Sequence, residues 1–141
     1  MTRNINCVLF VDDNPLTNFL NRKLLSEVSN STQVIAIESA EGLLDFLKRE
    51  GNYQKEKAVP NIIFLDINMP RMDGFEFLEH YNQLESDLVK DILIVFLTTS
   101  IRNRDRSKAF DNDFVYDFVA KPLTEEVYLK IARFYAKNYR S

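Results

Sequence analysis

Glycine is scarce in this 141-residue chain: Gly42, Gly51 and Gly74 are the three, and no two lie closer than nine positions. A glycine-rich phosphate loop and a dinucleotide-binding fingerprint both need closely spaced glycines, so neither is present. Cysteine and histidine occur once each, as Cys7 and His80. That is too few for an internal disulfide or a structural zinc centre. Long apolar runs are missing too. The longest, residues 92–97, has six residues, against the roughly 18 needed to span a membrane. Residues 1–6 lack the apolar stretch of a secretory leader. Charge of one sign is not concentrated either: 18 basic and 21 acidic side chains leave −3, whereas a sequence-independent nucleic-acid binder needs a basic face. The expectation is a reduced, cytoplasmic, single-domain protein with neither nucleic acid nor membrane as partner, able to bury about two-thirds of its unfolded surface.

Five short runs, at 7–11, 34–37, 62–65, 92–97 and 114–119, are nearly all apolar and rich in β-branched or aromatic residues. Continuous apolarity predicts strands covered on both faces, as in a parallel sheet. The fifth run, interrupted by Asp117, reads as an edge strand. Helical spacing fills the gaps. The first helix, from Pro15 to about residue 28, sets Leu16, Phe19, Leu20, Leu24 and Val28 on one side, with Pro15 following an Asn14 cap. The second carries Leu43, Leu44, Phe46 and Leu47 and stops at Gly51. The third runs from Phe75 to about Leu84, and a short polar fourth spans about 103–110. The last opens at a Thr124 cap, with Glu125 and Glu126 in its first turn. Strand and helix alternating five times predict an α/β three-layer sandwich with helices on both faces. Residues 52–61 and 85–91 read as loops.

The aspartates stand at strand ends. Asp12 and Asp13 follow the first run and Asp66 the third, while Thr98 follows the fourth and Lys121 the fifth. Singly these are ordinary features, a turn with a helix cap or a loop residue. Four strand ends with polar groups suited to one chemistry are a different matter, because ligands of open α/β sheets bind beyond the carboxyl ends of the strands. Three convergent carboxylates repel one another and call for a cation. Mg²⁺, a hard ion that takes oxygen ligands, suits them. With Lys121 beside it, such a site is ready for a phosphoryl group.

The residues Val11-Asp12-Asp13-Asn14, Leu65-Asp66-Ile67-Asn68-Met69-Pro70, Met72-Asp73-Gly74, Leu97-Thr98-Thr99-Ser100 and Lys121-Pro122 stand in the order and spacing of a known family. Over essentially its whole length the chain resembles the response-regulator receiver domain of two-component signalling. The resemblance implies a flavodoxin-like (βα)5 sandwich with parallel strand order 2-1-3-4-5, and one receiver domain over 1–141 with no output domain. It implies that Asp66 is the phosphoacceptor, taking a phosphoryl group from a sensor histidine kinase or a histidine phosphotransfer protein. Asp13, Asp66 and the backbone carbonyl of Asn68 would bind Mg²⁺ directly, and Asp12 mainly through water. Lys121 would pair with Asp66, its bond to Pro122 being cis. Thr98 would be the switch hydroxyl and Phe118 the aromatic that turns inward with it. Asn68 and Ser100 are placed to affect water access to the acyl phosphate. The tract 97–100 is similar to that of stand-alone receivers serving phytochrome-like kinases.

One departure from the family is the absence of a Gly-Ala pair before the fifth strand. Phe114-Val115 stands there, after Asp111-Asn112-Asp113, with Asn112 the candidate for a left-handed turn residue. Cys7 is expected in the core and His80 in solvent. On the last helix Val127, Ile131 and Phe134 form the expected core stripe. Tyr128, Ala132, Tyr135 and Tyr139 form a second one, either a homodimer or partner surface or ordinary exposed aromatics. Leu16, Phe19 and Leu20 are read as core and kinase-docking residues together. The chain is expected to signal by phosphorylation-dependent protein binding or relay, its downstream target unnamed by sequence, and not to act as an enzyme on other molecules. Two competitors are a Mg²⁺-dependent aspartyl-phosphate phosphohydrolase, which typically carries a second Asp where Asn68 stands, and a docking pseudo-receiver that is never phosphorylated.

Overall fold

The computed structural model describes residues 4–99 and 103–139. Strands β1 (Cys7–Val11), β2 (Gln33–Ile37), β3 (Ile62–Leu65), β4 (Leu93–Thr98) and β5 (Val115–Ala120) alternate with helices α1 (Pro15–Val28), α2 (Ala40–Lys48), α3 (Gly74–Tyr81), α4 (Asn103–Phe110) and α5 (Glu125–Asn138). All pairings are parallel and the order is 2-1-3-4-5, the predicted flavodoxin-like arrangement. Single 3₁₀ turns, Gly51–Tyr53 and Ser86–Leu88, occupy the two segments predicted as loops.

The three inner strands are buried at every position, which is why they read as unbroken apolar runs. Their side chains alternate between two cores. Leu9, Ile63 and Phe96 face α2 and α3, packing with Phe46 and Phe77. Phe10, Phe64 and Val95 face α1 and α5, packing with Leu25, Tyr128 and Tyr135. Cys7 lies in the first core, 1% exposed, and His80 is in solvent, as expected.

The edge strand β5 breaks the alternation. Ile94 pairs with Val115 but Val95 pairs with Asp117, so one extra residue, Tyr116, is accommodated by a bulge. Val115 and Phe118, three residues apart, consequently face the same core. A regular strand would set them on opposite faces.

Several local expectations need correction. Leu16, Phe19 and Leu20 are 62%, 62% and 53% exposed, and α1 buries Asn18, Asn21 and Leu25 instead. The inward stripe is polar because the helix crosses the end of the sheet, where Asn18 Nδ2 donates to the Asp12 carbonyl at 2.9 Å. The three apolar residues are therefore not core. On α5, Tyr128 and Tyr135 are 2% and 0% exposed, so the aromatic stripe offered as a homodimer face is interior. The left-handed cap of α2 is Arg49, φ 59°, and not Gly51. Its guanidinium donates to the Ala58 carbonyl at 2.6 Å and lies 5.1 Å from the Phe46 ring centre, contacts that offset the strain. α3 ends at Tyr81, short of Leu84. Asn112 has no positive φ; its side chain instead accepts from the Phe114 N–H at 2.9 Å, closing the turn into β5.

The end of the sheet away from the aspartates is fastened by one buried side chain. Asn61 accepts from the Asn6 and Cys7 N–H groups at 2.7 and 3.0 Å and donates to the Tyr135 hydroxyl at 2.9 Å. That hydroxyl in turn donates to the Asp91 carbonyl at 3.0 Å. Four chain segments meet there. Tyr135→Phe removes two of these bonds from a fully buried position, and we expect urea denaturation to show a loss of about 1–3 kcal/mol.

Candidate functional site

The ladder hydrogen bonds run one residue past each strand and so fix the groups that follow. The Asp12 N–H donates to the Ile37 carbonyl at 3.0 Å, the Asp66 N–H to Val11 at 2.9 Å and the Lys121 N–H to Thr98 at 2.9 Å. Asp12, Asp66 and Lys121 are thus placed by the sheet itself, at the edge where the predicted site lies.

The carboxylates of Asp12, Asp13 and Asp66 offer oxygens that all lie within 4.8 Å of one another. Asp12 and Asp66 are buried, at 4% and 7% exposure, and Asp13 is exposed. Lys121 Nζ stands 2.5 Å from Asp12 Oδ2 and 3.6 Å from Asp66 Oδ2. The expected pairing with Asp66 is present, yet the shorter contact is to Asp12. The second oxygen of Asp12 accepts from the Asn14 N–H at 2.9 Å, which ties the acid to the start of α1. Asn14 caps that helix by accepting from the Leu16 N–H at 2.9 Å.

Burial pushes the Asp66 carboxyl up to about 6, and its acidic neighbours Asp12 and Asp13 add to the rise. The Lys121 ammonium and a hydrogen bond from the Asn68 backbone N–H oppose it. Three acids sharing one ammonium leave negative charge over, and the oxygen donor set fits a hard divalent cation. Asp13, open to solvent, gives such an ion access.

The loop after β3 is closely packed. Gly74 opens α3 where an added Cβ would meet Phe96 Cε1 at 2.8 Å and the backbone of Ile67 at 3.1 Å. Its N–H donates to the Ile67 carbonyl at 2.8 Å. Asp73 caps α3 in a reciprocal capping box with Glu76. Arg71, at φ 70°, donates to Glu41 Oε2 at 2.8 Å and ties the loop to α2.

Thr98 is fully buried, and Phe118 is 4% exposed with its ring turned inward against Phe96. The Lys121-Pro122 bond is cis, as expected. Ser100 lies outside the described residues. Sequence reasoning missed Asn18 and Asn21, which lie buried beneath Asp12. Their signal was available, since 18, 21 and 25 fall on one helical stripe.

A family model for the response regulator receiver domain matches residues 8–133. Response regulator Rcp1 of Synechocystis is 33% identical over 98 residues, 70% of this chain and 65% of Rcp1. Hybrid signal transduction histidine kinase L of Dictyostelium discoideum is 29% identical over 132 residues, 93% of this chain but 7% of that protein. The chain therefore spans about two-thirds of the one relative and a small part of the other. Among solved structures, a two-component response regulator from Cytophaga hutchinsonii superposes with a TM-score of 0.84 at 27% identity, covering 96% of this chain and 100% of that one. The Mn²⁺-bound form of response regulator Rcp1 gives 0.68 at 26% identity, over 95% and 94%. Among the described residues, no helix is long and apolar enough to cross a membrane.

The raised Asp66 carboxyl has a consequence for stability. Its folded value lies above the usual 3.8, so the native state binds more protons than the unfolded chain between about pH 4 and 6, and stability falls as pH rises through that window. Asp66→Asn, which mimics the neutral form, is expected to stabilise the metal-free protein by up to about 3 kcal/mol above pH 7. Below pH 4 the gain disappears. Thermal melts across pH 3.5–8 measure it directly.

Proposed function

The chain belongs to the response regulator receiver domain family, a signalling family, and on that footing we propose that Asp66 accepts a phosphoryl group from a histidine kinase or histidine phosphotransfer protein. The observation that carries this reading is the cluster of Asp12, Asp13 and Asp66 oxygens within 4.8 Å, with the Lys121 ammonium 3.6 Å from Asp66. An ionised Asp66 oxygen attacks the phosphorus of phosphohistidine, the P–N bond breaks and the imidazole leaves, giving an acyl phosphate. Asp13, Asp66 and the Asn68 carbonyl are the groups to hold Mg²⁺ directly, with Asp12 through water; when bound, the ion neutralises charge on the phosphoryl oxygens. Lys121 is placed to accompany one of those oxygens, and its tie to Asp12 keeps it near.

Thr98 is the hydroxyl donor that turns toward the new phosphoryl group, and Phe118 fills the space beside it. Signalling then follows from a population shift at the face carrying α4, β5 and α5, read by a protein partner or passed on by relay. A cytoplasmic setting, where such kinases present phosphohistidine, is part of the same reading. Asn68 and Ser100 are the candidates for setting the phosphoryl lifetime.

Intact mass after incubation with acetyl phosphate tests the assignment. One phosphoryl adduct is expected with Mg²⁺, and none either without it or in Asp66→Ala. Continuous turnover of unrelated phosphate esters identifies a phosphohydrolase instead. Absence of any adduct from both small donors and phosphohistidine proteins identifies a docking module.

A further inference from the structure

In α4, Ala109 packs into the first core while Arg106 and Lys108 are exposed. Among its described side chains only Ala109 is buried, and an eight-residue helix is not stable by itself. Two cations reach from it onto aromatic rings. The Arg106 guanidinium carbon lies 5.7 Å from the Phe118 ring centre, and Lys108 Nζ lies 4.4 Å from that of Phe75, both within the range of a cation–π contact. Those two rings are the ends of one ladder. Phe75 meets Phe96 edge-to-face at 5.3 Å, and Phe96 meets Phe118 edge-to-face at 6.5 Å. On a helix, positions 106 and 108 point about 200° apart with 109 between them. The helix thus turns Ala109 to the core and lowers one cation on each flank.

Phe118 is the ring whose orientation matters for the site. It pairs with Phe96 across the sheet, and Thr98 lies two residues further along β4, on the same face as Phe96. A phenylalanine has no hydroxyl to anchor its inward position. The negative face of its ring is its only polar handle, and Arg106 takes it.

We propose that Arg106 is a positioning residue for the phosphoryl site: its guanidinium keeps the Phe118 ring inward and so couples the seat of α4 to the space beside Thr98. Its consequence for signalling rests on the reading of Asp66 given above. Without the charge, the ratio of inward to outward ring falls about two- to five-fold, the factor that one partly exposed cation–π contact supports. The response to phosphorylation weakens with it, because the ring-inward fraction scales the apparent response.

The test places para-fluorophenylalanine at position 118 of the full chain and reads its fluorine resonance. It compares the parent with Arg106→Gln, Arg106→Lys and Lys108→Gln, each with and without Mg²⁺ and beryllofluoride as a phosphoryl mimic. Arg106→Gln is expected to move the signal toward its solvent-exposed position by that two- to five-fold ratio. Arg106→Lys should recover most of the change, and Lys108→Gln, whose contact is with the other ring, should leave the signal in place. An unchanged spectrum in Arg106→Gln overturns the proposal, as does a Lys variant that matches Gln. The same shift in Lys108→Gln also overturns it, because a loosened helix would then be the cause. Phosphoryl uptake by the parent is read separately by mass. A ring that answers to Arg106 in a protein taking no phosphoryl group upholds the contact and refutes the assignment of Asp66.

Discussion

One ammonium among three carboxylates organises the acidic end of this molecule. Lys121 is held by the backbone bond from its own N–H to Thr98, and its charge is divided between Asp12 and Asp66. The division is unequal. Asp12 has the closer contact, and its other oxygen accepts from the Asn14 N–H. Asp66 is buried with weaker support, which is why its proton affinity is raised. Three acids thus share one ammonium, and the charge left over is what makes the oxygen cluster suited to a hard divalent cation.

The sheet was legible in the sequence because its inner strands are covered on both faces and, Thr98 at the end of β4 apart, consist of apolar residues. The site was legible for a related reason: parallel strands all deliver their ends to one edge, so residues following the apolar runs must meet there. Helix rotation was harder to read. α1 carries apolar residues on one stripe and asparagines on its neighbour, and periodicity alone favours turning the apolar stripe inward. The actual choice depends on the sheet-end carbonyl of Asp12, which needs a donor from Asn18. In α5 two stripes are apolar and both reach the core, Ile131 from one and Tyr128 and Tyr135 from the other, the second drawn in by the distant partner of the Tyr135 hydroxyl, Asn61. Both decisions are tertiary and leave no local mark. The Arg49 cap is a third case, since its unfavourable φ is held by contacts to Ala58 and Phe46 that only the folded loop creates.

The two ends of the strands are built on different principles. At one end Asn61 joins the starts of β1 and β3 to α5 by neutral hydrogen bonds, buried or partly so and mutually satisfied. At the other, charges are only partly balanced, and an aromatic ladder links the helices. Neutral, satisfied networks rigidify, whereas an unbalanced cluster responds to whatever charge arrives. The fold therefore concentrates its unbalanced charge at the edge where the aspartates lie.

The bulge at Tyr116 gives β5 an unusual genetic property. Because the bulge absorbs Tyr116 and so leaves Val115 and Phe118 on one face, a one-codon deletion at that point would restore a regular strand with the two residues two apart and still on the same face. Val115 would keep its partner Ile94, and what would be lost is the stack of Tyr116 on Phe134. A lineage can therefore lose a residue here while keeping both the entrance to the strand and its inward ring, whereas a loss elsewhere between Val115 and Phe118 would change which side chain the bulge absorbs.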